Sequence, residues 1–393
     1  MVLNEGSAWG IHKGVRPTNI VLKLLDKGFS EEYAKNHMKE MYAVSDKKIN
    51  LCMKVALEER KLLKEIDYKD GYSLYVGIPF CPSICAYCSF SSTPVNKNPE
   101  MVERYLDALL EEIDFSAYLF KDRKLTTVYM GGGTPTSITA VQIDRVLDRL
   151  FEKFPIHENT EFTFEAGRPD SIDIEKLKVI KKYGINRISI NPQSMKQETL
   201  DIIGRRHSVT DVDKAFLLAR EEGFENINMD MIIGLPGENI KDVEFTLGRI
   251  EKLNPESLTV HSLAMKRAAD FTTRREDFEE YSFNNSDEIM DLTYTYAEEM
   301  GMKPYYLYRQ KNMVGNMENI GYAKQGKAGL YNILIMEELQ SILALGAGAI
   351  TKIVTPEGKI IRTDNVKSIE HYIRRIDEMK KRKRDLLCLK KQN

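Results

Sequence analysis

Long apolar runs are missing from this 393-residue chain: no stretch approaches the roughly 18 apolar residues that a membrane-spanning helix needs. Net charge is scarce too. Fifty-seven Lys and Arg stand against 59 Asp and Glu, for −2 overall, so no global field points to nucleic acid. No charged-then-apolar leader opens the sequence over Met1–Ser7, and export is not expected. Tryptophan occurs once, as Trp9, and the six histidines are scattered singly, so His207, His261 and His371 read as hydrogen-bonded structural residues before they read as metal ligands. Cysteine is rare as well, with five in all.

Three of those five stand within eight residues, in Cys81-Pro-Ser-Ile-Cys85-Ala-Tyr87-Cys88, just after the apolar run Leu74–Phe80. Cys52 and Cys388 lie far away and read as ordinary thiols. Three thiolates fall one short of a tetrahedral structural zinc site, and no histidine between His37 and His157 supplies the fourth ligand. A disulfide would leave one cysteine over, in a chain with no secretory signal. Three thiolates can hold three irons of a [4Fe–4S] cluster and leave the fourth iron open. Zinc binding and idle thiols stay open on ligand count alone. A thiolate-held cluster needs a reducing compartment, so a cytoplasmic protein is expected.

The chain divides by pattern. Residues 1–70 look helical and charged. From residue 71 to 267, apolar strand-like runs (Ser73–Phe80, Thr126–Met130, Glu161–Glu165, Arg187–Ile190, Ile227–Ile233, Ser257–Ser262) alternate with helix-like stretches such as Met101–Lys121 and Ala140–Phe154. That alternation predicts an α/β fold of repeated βαβ units, a six-stranded partial (β/α)6 TIM-like barrel, with chemistry at the C-terminal ends of the strands. Beyond it, residues 268–393 lose the alternation, gain Tyr, Met and charge, and are expected to form a smaller C-terminal lobe over the substrate. The basic run Lys380–Arg384 reads as a solvated helix end rather than a nucleic-acid or membrane patch.

The glycine run Gly131-Gly132-Gly133-Thr134-Pro135 follows the second strand, where consecutive glycines let backbone approach a ligand closely. It lacks the Gly-Lys-Ser/Thr ending of a phosphate loop. Taken together, Cys-x3-Cys-x-Tyr-Cys and Gly-Gly-Gly-Thr-Pro resemble the signatures of the radical S-adenosylmethionine enzymes, in particular the oxygen-independent coproporphyrinogen III oxidase-like family. Upstream Trp9-Gly-Ile11 and Gly14-Val-Arg-Pro-Thr-Asn19, with downstream Tyr305–Asn312, are similar to its Z-type coproporphyrinogen dehydrogenase branch, of which this chain would be a shortened member.

The resemblance implies a [4Fe–4S] cluster on Cys81, Cys85 and Cys88, with S-adenosylmethionine at the open iron. It places Tyr75 and Tyr87 as aromatics touching the cofactor. Residues matching Gly132, Glu165 and Ile350 contact the cluster-bound cofactor in the anaerobic dehydrogenases. Those matching Gly133, Thr134, Gln193, Arg205, Asp230 and Ala264 approach a second S-adenosylmethionine. The implied reaction is oxidative decarboxylation of coproporphyrinogen III to protoporphyrinogen IX in anaerobic haem biosynthesis. It needs electrons from a low-potential donor such as flavodoxin or ferredoxin. Tyr305, Tyr306, Tyr308, Arg309 and Lys311 are candidates for the tetrapyrrole site, because tyrosines pack on flat rings and cations pair with propionates. Lys266 and Arg267 could serve the same arms or form a surface pair. One departure stands out: the dehydrogenases follow the third cysteine with x-Cys, whereas this chain has Ser89-Phe90. Phe90 is shared with the haem-chaperone branch, but the His-Asn-x-Asn-Tyr-Trp stretch of that branch is missing. A haem chaperone and a radical methyltransferase that opens haem are the alternative readings.

Overall fold

The computed structural model describes residues 7–390; Met1–Gly6, on which most of the leader reading rests, lie outside the described residues. Six strands follow one another in the order expected: β1 (Gly71–Ile78), β2 (Lys124–Gly132), β3 (Glu161–Glu165), β4 (Arg187–Ser189), β5 (Asn226–Ile233) and β6 (Ser257–Ser262). Each pairs in parallel with the next. Helices covering the sheet alternate with them, among them α4 (Pro99–Phe120), α5 (Ala140–Lys153), α6 (Ile174–Lys182), α7 (Gln197–Ile202), α8 (Val209–Glu221) and α9 (Ile240–Leu253). Their starts are written locally. Asn98 caps α4 with Pro99 in the first turn, and Thr139/Gln142 and Ser208/Asp211 form reciprocal capping boxes on α5 and α8. Helix α5 buries Ile143, Val146, Leu147 and Leu150, a 3–4 spacing that makes one apolar stripe facing the sheet.

Residues after 268 do not form a lobe apart, and that expectation is corrected. They supply β7 (Lys303–Tyr308), β8 (Asn319–Ala323), β9 (Ser341–Leu345), β10 (Ile350–Val354) and β11 (Ile360–Asp364), all in the same eleven-stranded sheet. The order is β11-β10-β9-β1-β2-β3-β4-β5-β6-β8-β7. Strand β9 lies parallel to β1, and β8 pairs antiparallel with β6. An open parallel sheet leaves unpaired N–H and C=O groups on both outer strands. The C-terminal third of the chain satisfies both edges at once, β1 on one side and β6 on the other.

The first three helices, α1 (Pro17–Asp26), α2 (Glu31–Tyr42) and α3 (Asp46–Lys64), pack at the β7 end of the sheet. Trp9 is fully buried there and donates from Nε1 to Glu318 at 2.8 Å. Lys48, also buried, reaches the same carboxylate at 2.7 Å. The basic run near the C-terminus is largely committed to pairs: Lys380 to Glu111 and Asp377, Arg382 to Glu378, and buried Lys383 to buried Glu112. No helix among the described residues is long and apolar enough to cross a membrane.

Candidate active site

The strand C-termini open into a cavity of about 290 Å³. Its lining joins the three cysteines of one loop to residues from five other strand ends, among them Thr134, Glu165, Gln193, Asp230 and Ala264. The thiol loop leaves β1 through Phe80–Cys81, which pairs in parallel with Thr93–Pro94 and so closes the intervening residues into a compact loop. Further bonds pin it to the turn after α7: Ala86 N to Ile203 O at 3.0 Å and Ser83 Oγ to Gly204 O at 3.1 Å. Cys81 and Cys85 are buried and Cys88 is half-buried. Burial pushes the Cys81 thiol up, and burial again, helped by the neighbouring cysteines, takes Cys88 to about 11. Without a metal, Cys81 and Cys88 are therefore protonated at neutral pH, and bound iron would supply the positive charge that makes them thiolates.

Arg168 governs the loop from below. Its Nη1 lies 3.3 Å from Cys85 Sγ and 3.2 Å from Ser83 O, while Asp170 holds the other edge of the guanidinium at 2.9 and 2.7 Å. Sequence reasoning missed this residue. Its signal was position: Arg168 follows Glu165 by three residues at a strand end, in Glu-Ala-Gly-Arg-Pro.

The glycine run sits where close approach is needed. Gly132 has φ +111°, and Gly133 and Thr134 donate to Ile78 O and Phe80 O at 2.8 and 2.7 Å. A methyl group on Gly133 would stand 2.4 Å from Phe80 O and 3.0 Å from Cys81 Sγ. Only glycine brings β2 this close to the thiol loop.

Three carboxylates at and beside the cavity show how burial is offset. Glu165 accepts from Tyr129 Oη; burial and nearby Asp230 nevertheless lift its carboxyl to about 7. Burial lifts Asp230 as well, but His261, 3.6 Å away, and Asn228, at 2.7 Å, outweigh it and hold the carboxyl below its ordinary range. Asp170 is likewise held low, its burial outweighed by Arg168. Gln193 keeps a left-handed backbone, φ +66°, uncommon outside glycine, with its N–H on Asp230 O and its C=O receiving Ile232 N, each at 2.9 Å. Gln193 Oε1 and Asn191 Oδ1 line the cavity region buried and without a hydrogen-bond partner in the protein. Unpaired buried polar atoms are costly, and a polar ligand would satisfy them.

The structure brings Cys81, Cys85, Cys88, Tyr87, Gly132, Gly133, Thr134, Glu165, Gln193, Arg205, Asp230, Ala264 and Tyr308 to one cavity. Arg205 is already engaged, with Tyr87 Oη at 3.1 Å, Gly167 O at 3.1 Å and Asn191 O at 2.5 Å, so it braces the wall. Tyr75 does not line the cavity; it stacks on Tyr129 behind Glu165, ring centroids 6.3 Å apart. Ile350 stands outside it too, 39% exposed at the start of β10. Tyr305 and Tyr306 are buried core residues of β7, and Lys311 is an exposed loop residue. The Arg309 assignment is corrected. Its guanidinium is buried against the Trp9 ring and donates to His12 O at 2.7 Å and to Asn316 Oδ1 at 2.6 Å, so the N-terminal segment and the loop after β7 hold it away from the cavity.

The donor set fits a [4Fe–4S] cluster. Among the described residues no three His, Cys, Asp or Glu side chains converge as ligands of a single ion, whereas a cubane spreads its three thiolates over three separate irons. The buried thiols, the glycine cradle and the unpaired amide oxygens suit a cluster with a polar cofactor beside it.

Comparison with known proteins agrees. Residues 75–250 match the radical SAM superfamily. Over 376 residues the chain is 44% identical to the oxygen-independent coproporphyrinogen-III oxidase-like protein HemZ of Bacillus subtilis (strain 168), spanning 94% of this chain and 75% of that protein. Over 311 residues it is 32% identical to the haem chaperone HemW of the same organism, spanning 78% of this chain and 76% of that one. The solved structure of coproporphyrinogen III oxidase HemN from Escherichia coli, a radical SAM enzyme, superposes with TM-score 0.64 at 25% identity, over 79% of this chain and 70% of HemN. With its three thiols, glycine cradle and strand-end carboxylates around one cavity, the chain belongs to the radical SAM superfamily, in the oxygen-independent coproporphyrinogen III oxidase-like family, and its cofactors are a [4Fe–4S] cluster and S-adenosylmethionine.

Proposed function

We propose that the chain oxidatively decarboxylates propionate arms of coproporphyrinogen III to vinyl groups, yielding protoporphyrinogen IX in a reducing, cytoplasmic setting. The observation that carries this is the single cavity in which Cys81, Cys85 and Cys88 meet Glu165, Asp230 and His261. Its support from relatives is the 44% identity to the coproporphyrinogen-III oxidase-like protein, against 32% to the chaperone. When bound, the cluster and S-adenosylmethionine supply a 5′-deoxyadenosyl radical. Each arm would then give one hydrogen atom to that radical, pass one electron to a one-electron acceptor and release carbon dioxide, while a low-potential donor such as flavodoxin or ferredoxin would supply the reducing electron for radical formation.

The protein's own contribution is placement and charge. Cys81, Cys85 and Cys88 hold the cluster. Gly132 and Gly133 admit the cofactor's methionine end beside them, and Glu165 receives its amino group. Gln193, Asn191 and the Asp230–His261 pair complete a polar wall, where a second S-adenosylmethionine would also lie. Water exclusion follows from burial of these groups and strengthens each polar contact. The second reading, a haem chaperone, rests on Phe90 standing where the dehydrogenases carry a fourth cysteine. Anaerobic incubation of reconstituted protein with coproporphyrinogen III, S-adenosylmethionine and reductant separates the two. Loss of two carbon dioxide molecules per tetrapyrrole, read by mass spectrometry, is expected; tight haem binding with no such product selects the chaperone.

Glu165 gives a pH signature to the same site. Its carboxyl titrates at about 7 in the free protein, so it is neutral below that pH and an anion above it. Affinity for a cofactor ammonium group should therefore rise with pH up to about 7 and level off, falling roughly tenfold per unit on the acid side. Anaerobic cofactor titrations from about pH 6 to 8 read this directly. Glu165→Gln should flatten the profile and lower the plateau about tenfold or more. An unchanged profile in that variant takes Glu165 out of the cofactor site.

A further inference from the structure

The cavity is lined by four basic side chains, and three of them are spoken for. Arg168 is held by Asp170 and the thiol loop, Arg205 by Tyr87 and two backbone carbonyls, and His261 by Asp230. Lys266 is the fourth, and among the described residues it has neither a hydrogen-bond nor an ion-pair partner for its ammonium group. It is half-buried, and its backbone is anchored at the end of β6: Met265 N donates to Asn312 O at 3.0 Å and Ala269 N to Lys266 O at 3.1 Å. Its Nζ lies 5.8 Å from the centroid of the Phe90 ring. Phe90 is 68% exposed, yet it too lines the cavity, at the rim beside Cys88. A large aromatic left in water beside an unpaired cation, both at the mouth of one cavity, is a surface for a flat, anionic ligand.

We infer that Lys266 receives a propionate carboxylate of the tetrapyrrole and that Phe90 offers its ring face to the macrocycle. This rests on the tetrapyrrole reading above and moves the substrate-binding cation from the loop after β7, where Arg309 is held by Trp9, His12 and Asn316, to the loop after β6. Lys266 is then a specificity residue: it separates substrates carrying free carboxylates from neutral tetrapyrroles of the same shape.

The test uses the reconstituted holoprotein and porphyrin fluorescence titrations with two probes, coproporphyrin III and its tetramethyl ester, in the same detergent-containing buffer. The wild type should prefer the free acid. Lys266→Gln should weaken binding of the acid about fivefold to tenfold, in keeping with a partly exposed charged contact, and leave the ester unchanged, while Lys266→Arg keeps most of the preference. Phe90→Ala should weaken acid and ester alike. If the wild type binds the acid and Lys266→Gln binds it equally well, Lys266 is not the carboxylate site, although the tetrapyrrole reading stands. Equal wild-type affinity for acid and ester also overturns the assignment. A Lys266→Gln protein with altered cluster EPR but unchanged porphyrin affinity shows that the lysine serves the cluster instead. Binding of neither probe by the wild type removes the tetrapyrrole reading and this inference together.

Discussion

Cys85→Ala is expected to abolish reductive cleavage of S-adenosylmethionine, as are Cys81→Ala and Cys88→Ala, while Cys52→Ala and Cys388→Ala should retain it. A three-thiolate cubane has no spare ligand, and losing one releases an iron or leaves it exposed to solvent. The other two thiols cannot substitute. Cys52 is fully buried on α3 and Cys388 is exposed on the C-terminal helix, and neither lines the cavity. Cys52→Ala opens only a small gap in the core, at a cost of about 1 kcal/mol, so the variant stays folded and its retained activity is a fair control. Iron and sulfide analysis with 5′-deoxyadenosine assay under anaerobic conditions measures both. Full cleavage by a Cys85→Ala protein that retains its iron and sulfide would strike that thiol from the ligand set.

The largest stability effect is expected far from the cavity, at Lys383. Its ammonium group lies 2.5 Å from Glu112, with side chains 1% and 0% exposed. Glu112 also accepts from Gly346 N at 2.7 Å, Asn365 Nδ2 at 2.8 Å and Tyr372 Oη at 2.6 Å. Through Tyr105, which donates to Gly77 O at 2.6 Å and accepts from Ala347 N at 3.2 Å, the network reaches β1 four residues before Cys81. Lys383→Met strands a carboxylate in the interior, a loss of about 3–5 kcal/mol. Adding Glu112→Gln should restore part of it, because no uncompensated charge then remains. Urea unfolding of the two single variants and the double variant gives the coupling. A Lys383→Met protein within about 1 kcal/mol of wild type would mean that the pair is not buried in solution.

Two expectations about the second half of the chain show where local reading stops. Tyr305-Tyr-Leu-Tyr308 and Arg309 looked like a substrate surface because aromatics and cations together suit an anionic ring. In the fold, Tyr305 and Tyr306 are buried in one packed cluster, only Tyr308, at the end of β7 and stacked on Tyr306, lines the cavity, and Arg309 is turned onto Trp9, some three hundred residues earlier. The loss of alternation after residue 268 suggested a separate lobe. It reflects instead a change from parallel βαβ connections to antiparallel pairing at the sheet edges, which needs no intervening helix.

What the sequence determined by itself is what depends on near neighbours. The thiol set lies in one loop, the glycines follow one strand, and the alternation of short apolar runs with helical stripes repeats from Tyr72 to Ser262; spacings of two, three and four residues encode all of these. Strand ends of a parallel sheet share one side, so the placement of Thr134, Glu165, Gln193, Asp230 and Ala264 around one cavity followed from topology. Only the tertiary structure decided which charged groups are free to act. Arg168, Arg205, Lys266 and Arg309 are equally cationic on paper; partners distant in sequence engage three of them and leave Lys266 open. Whether a charge is available depends on every group that packs against it, and that set is fixed only when the whole chain has folded.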